Sequence, residues 1–167
     1  MLIRDLEVLL KLAGLDIDTL YKKGLLKPET NQQKGRLFEL IILYHFEKNP
    51  IDLSGNKYNS SCDGICPNGK IYEAKSSKLY HGENWKYNIR NKEKENIEIF
   101  YFGGFNEDYS KLLHVWRVPG ELVEGEVFYI PIKRSGKFNI ENIKEFEITE
   151  KILEILNEKF SFLNEKI

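Results

Sequence analysis

Residues 63–75 read Asp63-Gly64-Ile65-Cys66-Pro67-Asn68-Gly69-Lys70-Ile71-Tyr72-Glu73-Ala74-Lys75. Pro67-Asn68-Gly69 falls between two short alternating runs, 61–66 and 70–76. Asn and Gly accept positive φ, so this junction predicts a β-hairpin. Side chains alternate along a strand, which puts Glu73 and Lys75 on one face of its second arm. Asp63, near the start of the first arm, is folded back beside them by the turn. Two carboxylates and an ammonium are therefore expected in one small volume on a sheet surface.

Carboxylates held that close repel unless a cation lies between them. A divalent ion removes the repulsion, and oxygen donors without thiolate or imidazole favour Mg²⁺, with Mn²⁺ as substitute, over Zn²⁺. Beside such an ion Lys75 can orient or help deprotonate a water, or stabilise charge on a pentavalent phosphorane. Metal, water and ammonium around a phosphodiester make a hydrolase site.

Upstream, the apolar spacing predicts helices over 3–13 and 16–23. It also predicts a strong helix over 32–48 behind an Asn31 N-cap, carrying Leu37, Leu40, Ile41, Tyr44 and His45 at a 3.6 period. Asn49-Pro50 closes that helix. Downstream, 80–95 reads as a polar loop rich in Lys and Asn. Strands are expected over 97–102, 112–118 and 127–132, a helical turn over 119–123 and an amphipathic helix over 149–163. Gly103-Gly104 and the following Asn-Glu-Asp read as a loop. The fold class expected is α+β with an α/β/α-like layering, a mixed central sheet holding the hairpin between helices. One domain spans 1–167, divided into an N-terminal helical segment 1–30, a core 31–135 and a C-terminal helical segment 136–167.

The pattern resembles the PD-(D/E)XK nuclease superfamily, the restriction-endonuclease-like fold. Asp63 and Glu73-Ala74-Lys75 carry the resemblance, with Ile71 and Tyr72 leading in. Gly35-Arg36-Leu37-Phe38-Glu39 matches the acidic helix that precedes the core strands of that family. Cys62 stands before Asp63 where the family name has Pro, a position that varies freely. The resemblance implies Asp63 and Glu73 as metal ligands, Lys75 as the catalytic lysine, and Glu39 as an accessory acid binding the metal directly or through water. Glu39 also interrupts an apolar stretch, where a carboxylate is costly without a partner.

Composition sets the bounds. Among 167 residues, 41% are hydrophobic and 31% charged, the balance of a globular domain. Twenty-five Lys and Arg against 26 Asp and Glu give a net charge of −1, which excludes binding of nucleic acid by bulk charge. Local charge differs: residues 70–94 hold seven Lys or Arg against three Glu, whereas 141–167 hold seven Glu against four Lys. Lys78, Lys86, Arg90 and Lys92, interleaved with Tyr80, Trp85 and Tyr87, are the candidate nucleic-acid contacts, cations for phosphates and rings for bases. Cys62 and Cys66 lack a second ligand pair for zinc, and His45, His81 and His114 are scattered. No Gly-rich phosphate loop occurs, so no nucleotide cofactor is expected. No membrane span or export signal is expected from the residues, and a cytoplasmic location follows as an expectation.

These readings point to a Mg²⁺-dependent endonuclease acting on double-stranded DNA, a restriction-type enzyme working as a homodimer. A repair nuclease or Holliday junction resolvase of the same fold stays open as an alternative. So does a non-catalytic nucleic-acid-binding module.

Overall fold

The computed structural model describes residues 35, 38, 39, 42, 64–65, 70–90, 96–109, 111–133 and 136–154. The helices expected over 3–13 and 16–23 lie outside them, as does Asp63. Six strands are described: β1 (Gly64–Ile65), β2 (Ile71–Tyr80), β3 (Asn84–Asn88), β4 (Ile99–Phe105), β5 (Leu112–Pro119) and β6 (Val127–Pro131). The sheet runs β5-β4-β2-β3-β6, with β1 also paired to β2. Only β2 and β4 are parallel; the other pairings are antiparallel. The architecture is a sheet-dominated α+β fold around a mixed sheet.

The expected hairpin is present, with Gly64 opposite Tyr72 and Ile65 opposite Ile71. Its second arm runs on to Tyr80, four residues beyond the expected end at 76. The stretch read as a polar loop contains β3 instead. Asn84-Trp85-Lys86-Tyr87-Asn88 alternates between outside and inside, and Trp85 and Tyr87 are 2% and 1% exposed. These two rings are core residues and do not offer themselves to bases, contrary to the sequence reading. A turn with positive φ at both His81 (52°) and Gly82 (67°) joins β2 to β3, closed by the Glu83 N–H on the Tyr80 carbonyl at 2.9 Å. That dihedral pair is the one a type I′ hairpin turn needs.

β4 also departs from expectation. It begins at Ile99 rather than 97 and continues through Gly103 and Gly104 to Phe105. All seven residues are buried, as befits a strand flanked by β2 and β5 and covered on both faces. On one face the β3–β6 ribbon folds across. Tyr87 meets Phe102 at 4.4 Å between ring centroids, Phe128 stacks on Phe102 at 4.9 Å, and Trp85 meets Trp116 edge-on at 5.4 Å. The Trp85 indole N–H donates to the Phe105 carbonyl at 2.8 Å and the Tyr87 hydroxyl to the Gly103 carbonyl at 2.9 Å. Each buried ring of this layer contributes roughly 1.5–3 kcal/mol through transfer from water.

On the other face lies a helical element in which Gly35, Phe38 and Glu39 are α-helical and Ile42 sits in a π turn. Phe38 and Ile42, fully buried, form its inward face. The positions expected to do so, Leu37, Leu40, Ile41, Tyr44 and His45, lie outside the described residues. Phe38 explains the glycine in β4: a Cβ on Gly103 would sit 2.6 Å from its ring. The strands expected at 112–118 and 127–132 and the helical turn at 119–123 appear as β5, β6 and a 3-10 turn at Gly120–Leu122. Of the final helix, 149–154 is helical and the remainder lies outside the described residues. No helix among the described residues is long and apolar enough to cross a membrane.

Gly103→Ala should cost about 1–3 kcal/mol by driving a methyl group into the Phe38 ring. Urea unfolding of the variant against wild type measures it, and unchanged stability would mean that the helical element is not pressed against β4.

Candidate active site

Two strands share one edge of β2. β1 pairs with its start, at Ile71 and Tyr72, and β3 with its end, at Leu79 and Tyr80. Among the described residues no strand pairs with 73–78 on that edge, because β3 diverges after the Leu79–Trp85 pair. The Lys86 N–H, with no strand carbonyl opposite, donates to Ser77 Oγ at 3.1 Å, and Ser77 Oγ donates to the Lys78 carbonyl at 2.8 Å. Ser77 thus bridges the fork where the ladder stops.

A cavity of about 450 Å³ opens in this fork. β2 supplies Glu73, Lys75, Ser76, Ser77, Lys78 and Tyr80; β3 supplies Lys86, Tyr87 and Asn88. Gly35 and Glu39 enter from the helical element, and Tyr109 from the loop after β4. Gly35 and Glu39 are one helical turn apart, so they share a face. A Cβ on Gly35 would lie 3.3 Å from Ser76 Oγ, so the glycine lets that face come up close to the strand.

Glu73 and Lys75 share a face of β2, as their spacing required, and are beside Phe100 and Phe102 in register. Lys75 Nζ is 3.9 Å from Glu73 Oε1, with their side chains 19% and 13% exposed. That is an ion pair at its outer limit and too long for a hydrogen bond. Glu39, Glu73, Lys75, Lys78 and Lys86, all singled out from sequence, therefore line one cavity. Arg90 is exposed beyond the end of β3 and does not line it. Asp63 and Lys92 lie outside the described residues, as do Cys62, Cys66 and His45. His81 is exposed in the hairpin turn, and His114 is half-buried on edge strand β5, its Nδ1 3.1 Å from Glu147 Oε1.

Tyr109 has no counterpart in the sequence reading. Its φ of 64° is unusual for a bulky residue and marks local strain. Hydrogen bonds from the Tyr109 N–H to the Asn106 carbonyl (3.1 Å) and from the Lys111 N–H to Asn106 Oδ1 (3.0 Å) hold the loop. The ring packs on Phe105 at 4.7 Å, and its hydroxyl shares a 2.5 Å hydrogen bond with Ser76 Oγ. Burial pushes the phenol up to about 12; the Ser76 hydrogen bond pulls it down, while Tyr80 and Glu39 add to the rise. Tyr87 is also held well above the usual range, by burial first and Tyr109 second. Both phenols stay neutral at physiological pH, so Tyr109 can present an uncharged hydroxyl to the cavity.

Glu39 and Glu73, with the hydroxyls of Ser76, Ser77 and Tyr109, make an all-oxygen donor set, and no Cys or His is among the described lining residues. That chemistry fits a hard divalent cation. The described residues do not by themselves bring three Asp, Glu, His or Cys together at metal-holding distance. The third carboxylate of the sequence reading, Asp63, lies outside them. No protein-family model matches the chain, and no curated protein is significantly similar to it.

The raised Tyr109 phenol ties stability to alkaline pH. Its folded value lies above the unfolded one, so the stabilisation is complete below about pH 10 and is lost as pH rises toward 12. Urea unfolding between these limits should show wild type losing on the order of 2 kcal/mol more than Tyr109→Phe. Parallel pH profiles would free Tyr109 from this linkage.

Proposed function

We propose that the chain is a Mg²⁺-dependent endonuclease, with Mn²⁺ as substitute, hydrolysing phosphodiester bonds of DNA on a core resembling restriction endonucleases. The observation that carries the reading is the convergence of Glu39, Glu73 and Lys75, from two separate elements, on one cavity. Lys78 and Lys86 beside them bring the described ammonium groups to three against two carboxylates, a balance suited to an anionic substrate.

In this reading Glu73 and Glu39, with Asp63, hold the cation. When bound, the cation lowers the pKa of a water and neutralises charge on the phosphoryl oxygens. Lys75 stabilises the charge that develops in the transition state, the Glu73 carboxylate keeping it in place beforehand. Lys78 and Lys86 hold flanking phosphates. A homodimer supplies the two sites that cutting both strands of a duplex requires. Structure-selective cleavage, as by a repair nuclease or junction resolvase, is the second reading, favoured by the exposed rings of Tyr80 and Tyr129.

Plasmid DNA incubated with the protein should be cut with Mg²⁺ and spared with EDTA. Glu73→Gln and Lys75→Ala should each lose roughly 100-fold or more in rate while retaining DNA binding. Near-normal cleavage by both would reduce Glu73 and Lys75 to a structural ion pair. Calorimetric titration of Mn²⁺ should show a site in wild type that weakens in Glu73→Gln and in Asp63→Asn. Equal binding in all three would remove the metal from this cavity.

A further inference from the structure

The large apolar side chains left exposed among the described residues are Tyr80, Tyr129 and Ile132, at 41%, 49% and 38%. They gather at one corner of the molecule. Tyr80 is opposite Asn84, Asn84 opposite Pro131, and Lys86 opposite Tyr129. Cross-strand partners share a face and side chains alternate along each strand. Tyr80, Asn84, Lys86, Asn88, Tyr129 and Pro131 therefore all stand on the outer face of the β2–β3–β6 ribbon, while Trp85, Tyr87, Phe128 and Ile130 fill its inner face. Lys78 joins the outer set, its ammonium 5.4 Å from the centroid of the Tyr80 ring. Ile132 follows at the ribbon's end, its N–H on the Glu83 carbonyl at 2.9 Å.

Among the described residues, the outward strand positions of this ribbon carry two ammonium groups, two amides and two tyrosine rings, with Glu39 and Glu73 in the adjoining cavity and Glu107 beside the turn at Gly82. Lys78, Tyr80, Lys86 and Asn88 also line the cavity, so face and cavity are continuous. We infer that the outer face of this ribbon binds an unpaired nucleic-acid strand, stacking its bases on Tyr80 and Tyr129 and leading it to the cavity. Ammonium groups alone would suit any phosphate backbone. Exposed rings add affinity only where a base offers its π-face, and a base inside a duplex does not. Two strand spacings and a two-residue offset separate the rings by about 12 Å, so they take different bases, with Lys86 between them for the linking phosphates. A second copy of the chain fits less well. A two-fold contact through this face would gather four ammonium groups, Lys78 and Lys86 from each copy, into one interface.

The inference rests on the cavity being a site for nucleic acid, and it narrows the substrate to one with a single-stranded segment beside the cut. Fluorescence anisotropy with labelled oligothymidine and a blunt duplex of equal length, in EDTA, tests it. Tyr129→Ala and Tyr80→Ala should each lower the ratio of oligothymidine to duplex affinity roughly tenfold. Tyr129→Trp should restore it. An unchanged ratio in Tyr129→Ala, or wild type that fails to hold oligothymidine, would overturn the inference. So would sedimentation showing that Tyr129→Ala only dissociates a dimer. Glu73→Gln separates the two proposals. Undiminished cleavage by that variant removes the catalytic reading, while Tyr129-dependent binding of oligothymidine still upholds the stacking face.

Discussion

A β-strand has two edges, and β2 serves three partners. β4 takes one edge over seven consecutive pairs, from Tyr72–Ile99 to Lys78–Phe105. β1 and β3 divide the other, two pairs each, and leave the middle between them. The cavity follows from that division. If β3 continued to pair with β2, backbone would fill the space that Glu73, Lys75 and Lys86 now line. Glu73 and Lys75 would then face a closed aromatic layer, where unpaired charge is costly.

What turns β3 away is the aromatic layer itself. Trp85 and Tyr87 point from β3 onto β4, and each also donates a hydrogen bond to a β4 carbonyl. The ribbon is therefore held to the face of β4 by polar as well as apolar contacts, and the divergence from β2 is fixed by packing rather than by loop length. On the opposite face the approach is just as close: Phe38 lies over Gly103, and Gly35 against Ser76. Glu39 reaches the cavity because its helical element is pressed down at these two glycine contacts.

The hairpin was legible because Pro-Asn-Gly is a local signal and the Glu73–Lys75 spacing needs only strand geometry. Glu39 was legible because a charge in an apolar stretch calls for a reason. β3 is not, since Lys86, Asn84 and Asn88 dominate a stretch whose Trp and Tyr read as surface rings. The period-2 alternation of 84–88 spans only five residues, and three of them are polar. Gly103-Gly104 misled in the same way: both glycines serve close packing inside a strand, against Phe38 on one face and Trp85 and Trp116 on the other. Tyr109 left no trace, because its place depends on a loop closed by Asn106 and on a partner, Ser76, 33 positions away.

The parallel pairing of β2 with β4 also dictates an order of assembly. Tyr80 and Asn84 are four positions apart, and their turn can close in microseconds from local contacts alone. Tyr72 and Ile99 are 27 positions apart, and their pairing must wait for a much larger loop. Until it closes, β4 presents seven apolar or glycine residues with the β2 edge open, and only β5, paired from Phe105–Leu112 onward, lies within local reach of the other edge. During biosynthesis, then, this strand is where the chain is most exposed to self-association, and the hairpin ahead of it is the first surface on which it can find shelter.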